Sequence, residues 1–157
     1  MRIDPIGVIR TPYRNLADMP IQPRGGKGVR GEVIVDEAYA EGLADLEGFS
    51  HLYLIYQFHE ARRTELTVVP FMDSSVRGVF ATRSPLRPNH LGISVVELVA
   101  VQGARLVIEG VDILDKTPLL DIKPYIDAFD RVERSRSGWM GADGDEVEKK
   151  RSDERFV

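Results

Sequence analysis

Apolar and polar residues alternate with a period of two over much of this chain. Residues 3–9, 29–35, 52–58, 66–69, 76–81, 93–101 and 105–113 carry that alternation and are bounded by Gly, Pro, Asp or Asn, which predicts short β-strands. Val101-Gln102-Gly103-Ala104-Arg105 reads as a tight hairpin between the last two runs. A period near 3.6 is scarce: residues 37–43 (Ala38, Tyr39, Ala40, Leu43) support a short helix ending near Gly48, and residues 126–132 a second. Many short strands with few crossover helices point to an antiparallel barrel or sandwich, and exclude a doubly wound parallel sheet. The expected fold is mainly β, a single-sheet, non-Rossmann barrel with one or two short helices. Gly25-Gly26-Lys27-Gly28 has no helix predicted after it, so it meets neither the P-loop nor the dinucleotide fingerprint.

Ala81-Thr82-Arg83-Ser84-Pro85-Leu86-Arg87-Pro88-Asn89-His90-Leu91-Gly92 breaks the alternation. Pro85 and Pro88 fix their own φ and bias Ser84 and Arg87 toward extended backbone, so the segment is a stiff loop carrying two guanidinium forks. Rigid arginines suit carboxylates, phosphates and aromatic planes. A lone pair of arginines on a loop is equally read as solvated surface. Other irregular segments accompany it. Asp18 to Gly28 is a Pro/Gly loop with polar tips, and Gly42 to His51 leads into the strand ending at His59. Asp115-Lys116-Thr117-Pro118 is a turn whose exposed amides suit a purine edge. Leu119-Leu120-Asp121-Ile122 then returns to the core, and Pro124 ends it.

Taken together these segments closely resemble the TsaA-like family, also called TrmO, of S-adenosylmethionine-dependent tRNA methyltransferases. The match is carried by Gln22-Pro23; by Gly42-Leu43 with Leu46-Glu47-Gly48-Phe49-Ser50-His51; and by Gly78-Val79-Phe80-Ala81-Thr82-Arg83-Ser84-Pro85 with Arg87-Pro88-Asn89, Gly92 and Ser94. Thr117-Pro118 and Asp121-Ile122-Lys123-Pro124-Tyr125 complete it. The resemblance implies a β-barrel holding S-adenosyl-L-methionine outside a Rossmann frame, and methyl transfer to N6 of threonylcarbamoyl-adenosine beside the anticodon of a tRNA. It also implies a homodimer with the cofactor near the interface. Carried over residue by residue, it assigns cofactor contacts to Pro20, Ile21, Gln22, His59, Glu60, Arg83, Leu114, Asp115, Lys116 and Thr117. Relatives commonly have glycine where Lys116 stands, so a turn that needs φ > 0 would be strained here.

A protonated carbamoylated nitrogen is a poor nucleophile, so a proton acceptor would help. Asp121, Tyr125 and Glu60 are the candidates, in no order. Asp121 to Tyr125 reads equally as a strand end with an Asp–Lys pair and a packed ring. Trp139 is either a stacking platform for a base or, more simply, an anchor for the chain's C-terminal part. His51, His59 and His90 fit no ligand spacing and no cysteine is present, so no metal site is expected.

Composition adjusts this picture in two places. With 157 residues, no signal peptide and no long apolar run, one cytoplasmic domain is expected over residues 1–140, followed by a polar, mobile tail over 141–157. A formal charge of −4 argues against a generally basic nucleic-acid binder. Basic residues nonetheless cluster at Arg24, Lys27 and Arg30, at Arg62 and Arg63, and at Arg131, Arg134 and Arg136, where they could track an anticodon arm's phosphates or simply be solvated. The acidic balance keeps two alternatives open: an S-adenosylmethionine-binding module with a regulatory or partner-binding role, and a methyltransferase with a non-tRNA acceptor. For the dimer, Phe71, Met72 and Ile93 are the expected self-complementary patch.

Overall fold

Alternation buries one face of each strand, and six such strands close on themselves here. The computed structural model describes residues 2–20 and 26–140. In chain order the strands are β1 (Gly7–Arg10), β2 (Arg30–Val35), β3 (His51–Gln57), β4 (Thr67–Val68), β5 (Arg77–Gly78), β6 (Leu91–Gln102), β7 (Arg105–Glu109) and β8 (Thr117–Pro124), followed by the single-turn α1 (Asp127–Asp130). The barrel runs β1-β2-β7-β6-β3-β8 and back to β1, and β4 with β5 form a separate two-stranded ribbon. Every neighbouring pair is antiparallel, and closure leaves the barrel no open edge. Ile9, Val33, Leu52, Leu54, Val96, Leu106, Ile108 and Leu119 fill its interior. A smaller cluster, Val68 with Leu86 and Phe71, seats the ribbon and the stiff loop.

Several expected boundaries move, each for a local reason. The first strand starts at Gly7 rather than residue 3. The predicted run 105–113 stops at Glu109, because Gly110 takes φ +83° and turns the chain. Residues 76–81 supply only the short β5 and then a 3-10 turn over Val79–Ala81. Glu37–Leu43 is helical but 3-10, and the predicted 126–132 helix shrinks to one turn. The hairpin turns at Gly103 with φ +63°, as its Gln-Gly step predicts. β8 is a full eight-residue strand paired to both β1 and β3 despite Pro118 and Pro124. Its register shifts between Asp121 and Leu119, leaving Leu120 as a bulge; Val99 is the matching extra residue of β6.

Candidate functional site

The end of the barrel where β3 stops and β6 and β8 begin opens into a cavity of about 810 Å³. Its apolar walls are Met19, Pro20, Phe58, Phe71, Met72 and Ile113, and the stiff loop from Phe80 to Pro85 roofs it. That loop is rigid through its own hydrogen bonds. Thr82 Oγ1 donates to the Val79 carbonyl (2.8 Å) and accepts from the Ser84 amide (3.2 Å), and Ser84 Oγ accepts from the Leu86 amide (3.2 Å). Leu86 is wholly buried and pins the loop to the ribbon. Arg87 spends its guanidinium inside the loop, donating to the carbonyls of Thr82 (3.1 Å) and Ser84 (3.4 Å). Of the two arginines, then, one braces the loop and Arg83 is the one whose charge acts on the cavity's polar floor.

That floor is a hydrogen-bonded series. Ser94 Oγ on β6 donates to Asp112 Oδ1 at 2.6 Å, and the Tyr56 hydroxyl on β3 lies 3.0 Å from Ser94 Oγ. A serine has one hydroxyl hydrogen, so with Ser94 donating to the carboxylate, Tyr56 must donate to Ser94. All three residues are buried. Burial pushes the Asp112 carboxyl up to about 6, against the pull of the Ser94 hydrogen bond, its own backbone N–H and the Arg83 charge. Burial, and then the nearby Asp112, raise the Tyr56 phenol well above its ordinary value. The Tyr56 ring fits only because its partner across the ladder is Gly92, where a Cβ would overlap the ring.

Of the residues assigned to the cofactor, Pro20, His59, Glu60, Arg83, Leu114 and Thr117 line this cavity together. Thr117 Oγ1 donates to the Leu114 carbonyl (2.7 Å), so His59, 3.3 Å away through Nδ1, is the donor in their contact, and its Nε2 points toward Glu60 (3.7 Å). Asp115 and Lys116 belong to the same turn but not to the lining. Asp115 accepts from the Thr11 amide (3.0 Å) and pairs with Arg10 (3.2 Å), tying the turn to the N-terminal strand. Lys116 occupies the left-handed region with φ +65°, the strain expected where relatives have glycine. Ile21 and Gln22 lie outside the described residues, as does the 141–157 segment read as a tail.

Of the three proton-acceptor candidates only Glu60 is in the lining. Asp121 lies away from the cavity on β8, paired with Lys123 (3.0 Å), and Tyr125 packs on Tyr53 and His51 with ring centroids 5.8 and 6.4 Å apart. Trp139 lines the cavity as an anchor: Nε1 donates to the Ala81 carbonyl at 2.8 Å and Arg77 sits over its ring. Among the described residues no cluster of His, Asp or Glu could hold a metal ion, and no helix is long and apolar enough to cross a membrane. Asp112 and Ser94 were not singled out from the sequence as site residues. The available signal was an aspartate inside the apolar run Val111-Asp112-Ile113-Leu114.

A closed antiparallel barrel with a half-apolar cavity at one end, floored by a buried carboxyl, defines a small-molecule-binding domain of the non-Rossmann kind. The chain belongs to the family of the tRNA-methyltransferase O N-terminal domain, whose model matches residues 8–131. It is 51% identical over 152 residues to a probable S-adenosyl-L-methionine-binding protein of Pyrococcus abyssi, covering 97% of this chain and 83% of that one. It is 38% identical over 135 residues to the tRNA (adenine(37)-N6)-methyltransferase of Escherichia coli, covering 80% of this chain and 57% of the enzyme. The crystal structure of TrmO from Pseudomonas aeruginosa superposes with a TM-score of 0.75 at 37% identity, over 91% of this chain and 63% of that one. The chain thus spans less than two thirds of the Escherichia coli and Pseudomonas aeruginosa proteins.

Proposed function

We propose that this protein is an S-adenosyl-L-methionine-dependent methyltransferase acting on N6 of threonylcarbamoyl-adenosine next to the anticodon of tRNA. The observation that carries the reading is the convergence of Pro20, His59, Glu60, Arg83, Leu114 and Thr117, from four separate segments, on one cavity. The chemistry of that set fits the donor. The volume suits a ligand of this size, apolar walls suit a purine, and Arg83 and the carboxyls offer both signs of charge to an amino-acid end. The bound cofactor supplies an electrophilic methyl group on a sulfonium. The protein's part is to hold it, exclude water beneath the stiff loop and align the incoming nitrogen, which is where most of the rate of an in-line displacement arises.

Two basic groups adjoin the lining. Arg62 and Arg63 follow directly on Glu60 and Ala61, and Arg134 and Arg136 directly precede Ser137. They provide a route for the phosphates of an anticodon arm, in the cytoplasm where tRNA is available. The assembly we propose is a two-fold dimer. Phe80 and Ile93, 74% and 52% exposed, lie at the cavity with Leu91 and offer a second copy an apolar rim. Of the residues expected for that patch, Phe71 is instead partly committed to the small core under the ribbon. Sedimentation at micromolar concentration with and without cofactor tests the dimer; a persistent monomer that still methylates tRNA would sink it.

Purified protein mixed with labelled methyl donor and bulk tRNA from a threonylcarbamoyl-competent source is expected to label the tRNA. Absence of label there would defeat the proposal. A second reading, an S-adenosylmethionine-binding module, is favoured by the name of the Pyrococcus abyssi relative and the net charge of −4. Calorimetry at low salt separates the two: cofactor binding without tRNA binding would favour the module.

A further inference from the structure

Only one carboxyl of the cavity lining is buried. Asp112 is 9% exposed, whereas the other, Glu60, has a side chain 45% exposed and shared with His59 and Arg62. Burying a carboxyl is costly unless its partners are in place, and here they are built in. The Ser94 hydroxyl is aimed at Oδ1, the Tyr56 hydroxyl is aimed at Ser94, and Gly92 leaves the space in which the Tyr56 ring can lie. Three elements therefore converge to fix one carboxylate at the bottom of a ligand-sized cavity. A solvated pair such as Glu60 with Arg62 has no such support.

We propose that Asp112 is the proton acceptor of the transfer, with Ser94 and Tyr56 as its positioning residues. This rests on the methyltransferase reading above. The acceptor nitrogen carries one hydrogen. As its bond to the methyl carbon forms and the carbon–sulfur bond breaks, the electron pair of that bond stays with sulfur, and the hydrogen passes as a proton to a carboxylate oxygen of Asp112. The acid so formed returns the proton to solvent after product leaves. A carboxyl held near 6 is ionised at neutral pH yet more basic than a solvated one, which suits this task. The titratable and charged groups acting on it are Tyr56 from β3 and Arg83 from the loop before β6, with His59 and Glu60 also in the lining.

The test compares wild type, D112N and S94A in single-turnover methylation across pH, with cofactor affinity by calorimetry and the Asp112 carboxyl followed by 13C NMR. The wild-type rate is expected to rise with pH through about 6, in step with a carboxyl resonance that D112N lacks. D112N is expected to lose roughly 10²–10⁴-fold in rate, along with that pH limb, while binding cofactor as wild type does. S94A keeps the carboxyl but loses the bond that favours its ionised form, so its limb moves to higher pH. A folded D112N with the wild-type pH profile would overturn the proposal. So would a D112N whose loss of rate is matched by loss of cofactor affinity, since Asp112 would then be a binding group. Should D112N not fold, an unmoved limb in S94A overturns it. Wild type that transfers no methyl group to any acceptor, with the carboxyl still titrating, overturns the methyltransferase reading and the proposal with it.

Discussion

Tyr56 and Gly92 stand opposite one another on β3 and β6, and the phenol ring lies over the place where any larger residue would put its Cβ. The barrel wall and the cavity floor meet in this pair, because the same ring carries the hydroxyl that reaches Ser94. Gly92→Ala is therefore expected to displace the ring and to cost about 1–3 kcal/mol, as overpacking does. Tyr56→Phe keeps the ring and removes only a buried hydrogen bond, at about 1 kcal/mol. Thermal or urea denaturation of the two variants checks the order; Tyr56→Phe proving the more damaging would refute the packing account.

Lys116 is the reverse case, a side chain where the backbone favours none. Its φ of +65° carries a left-handed penalty of about 1–2 kcal/mol, offset on replacement by the greater freedom glycine has in the unfolded chain, about 0.5–1 kcal/mol. Lys116→Gly should therefore stabilise the protein by about 1 kcal/mol and raise its melting temperature by a few degrees. Lys116→Ala removes the same charge but keeps the strain, and should leave stability near that of wild type.

The buried carboxyl makes stability depend on pH in an unusual direction. Asp112 has its folded pKa near 6, above the ordinary value of 3.8, so between those values the folded protein holds more protons than the unfolded chain. Its contribution to stability is greatest below pH 4 and falls as pH rises through 6, by about 3 kcal/mol for two units. Asp112→Asn has no charge to bury and can still accept the Ser94 hydrogen bond. The variant is expected to be the more stable protein at pH 7–8, and the difference to shrink toward pH 4. Chemical denaturation of both across this range measures it; a gap that does not change with pH would remove Asp112 as the cause.

Trp139 is the chain's single tryptophan and lines the cavity with its indole N–H on the Ala81 carbonyl and Arg77 over its ring. A cofactor entering the cavity should change its fluorescence, giving a saturable titration without a label. Trp139→Phe should abolish that signal and loosen the 137–140 segment. Emission indifferent to a cofactor that calorimetry shows to bind would place the ligand elsewhere.

Much of the barrel was legible because its chemistry is local. The alternation in 52–58 and 105–109, the Gln102-Gly103 turn and the proline-stiffened loop each declare themselves within a few residues. β8 was only half legible: Pro118 and Pro124 read as terminators, and the barrel accommodates both within a ladder that a bulge at Leu120 also interrupts. The cavity's members were found through resemblance, but its floor was not. Asp112, Ser94 and Tyr56 lie far apart in sequence, and a Ser on a strand or an Asp before a turn is ordinary until the fold brings them within 3.0 Å of each other in series. Asp121 illustrates the converse, an acid conspicuous in sequence whose partner is a neighbouring lysine.

The anchor at Trp139 has a consequence for how such proteins diversify. Ser137, Trp139 and Met140 lie in the cavity wall, and the indole fastens that stretch to the loop roofing the site. Any polypeptide joined after this point sets out from the doorway of the site, where an incoming acceptor has to pass. Swapping or lengthening that downstream portion is thus a means of changing which molecules are admitted while every barrel strand and every cavity-floor residue stays as it is.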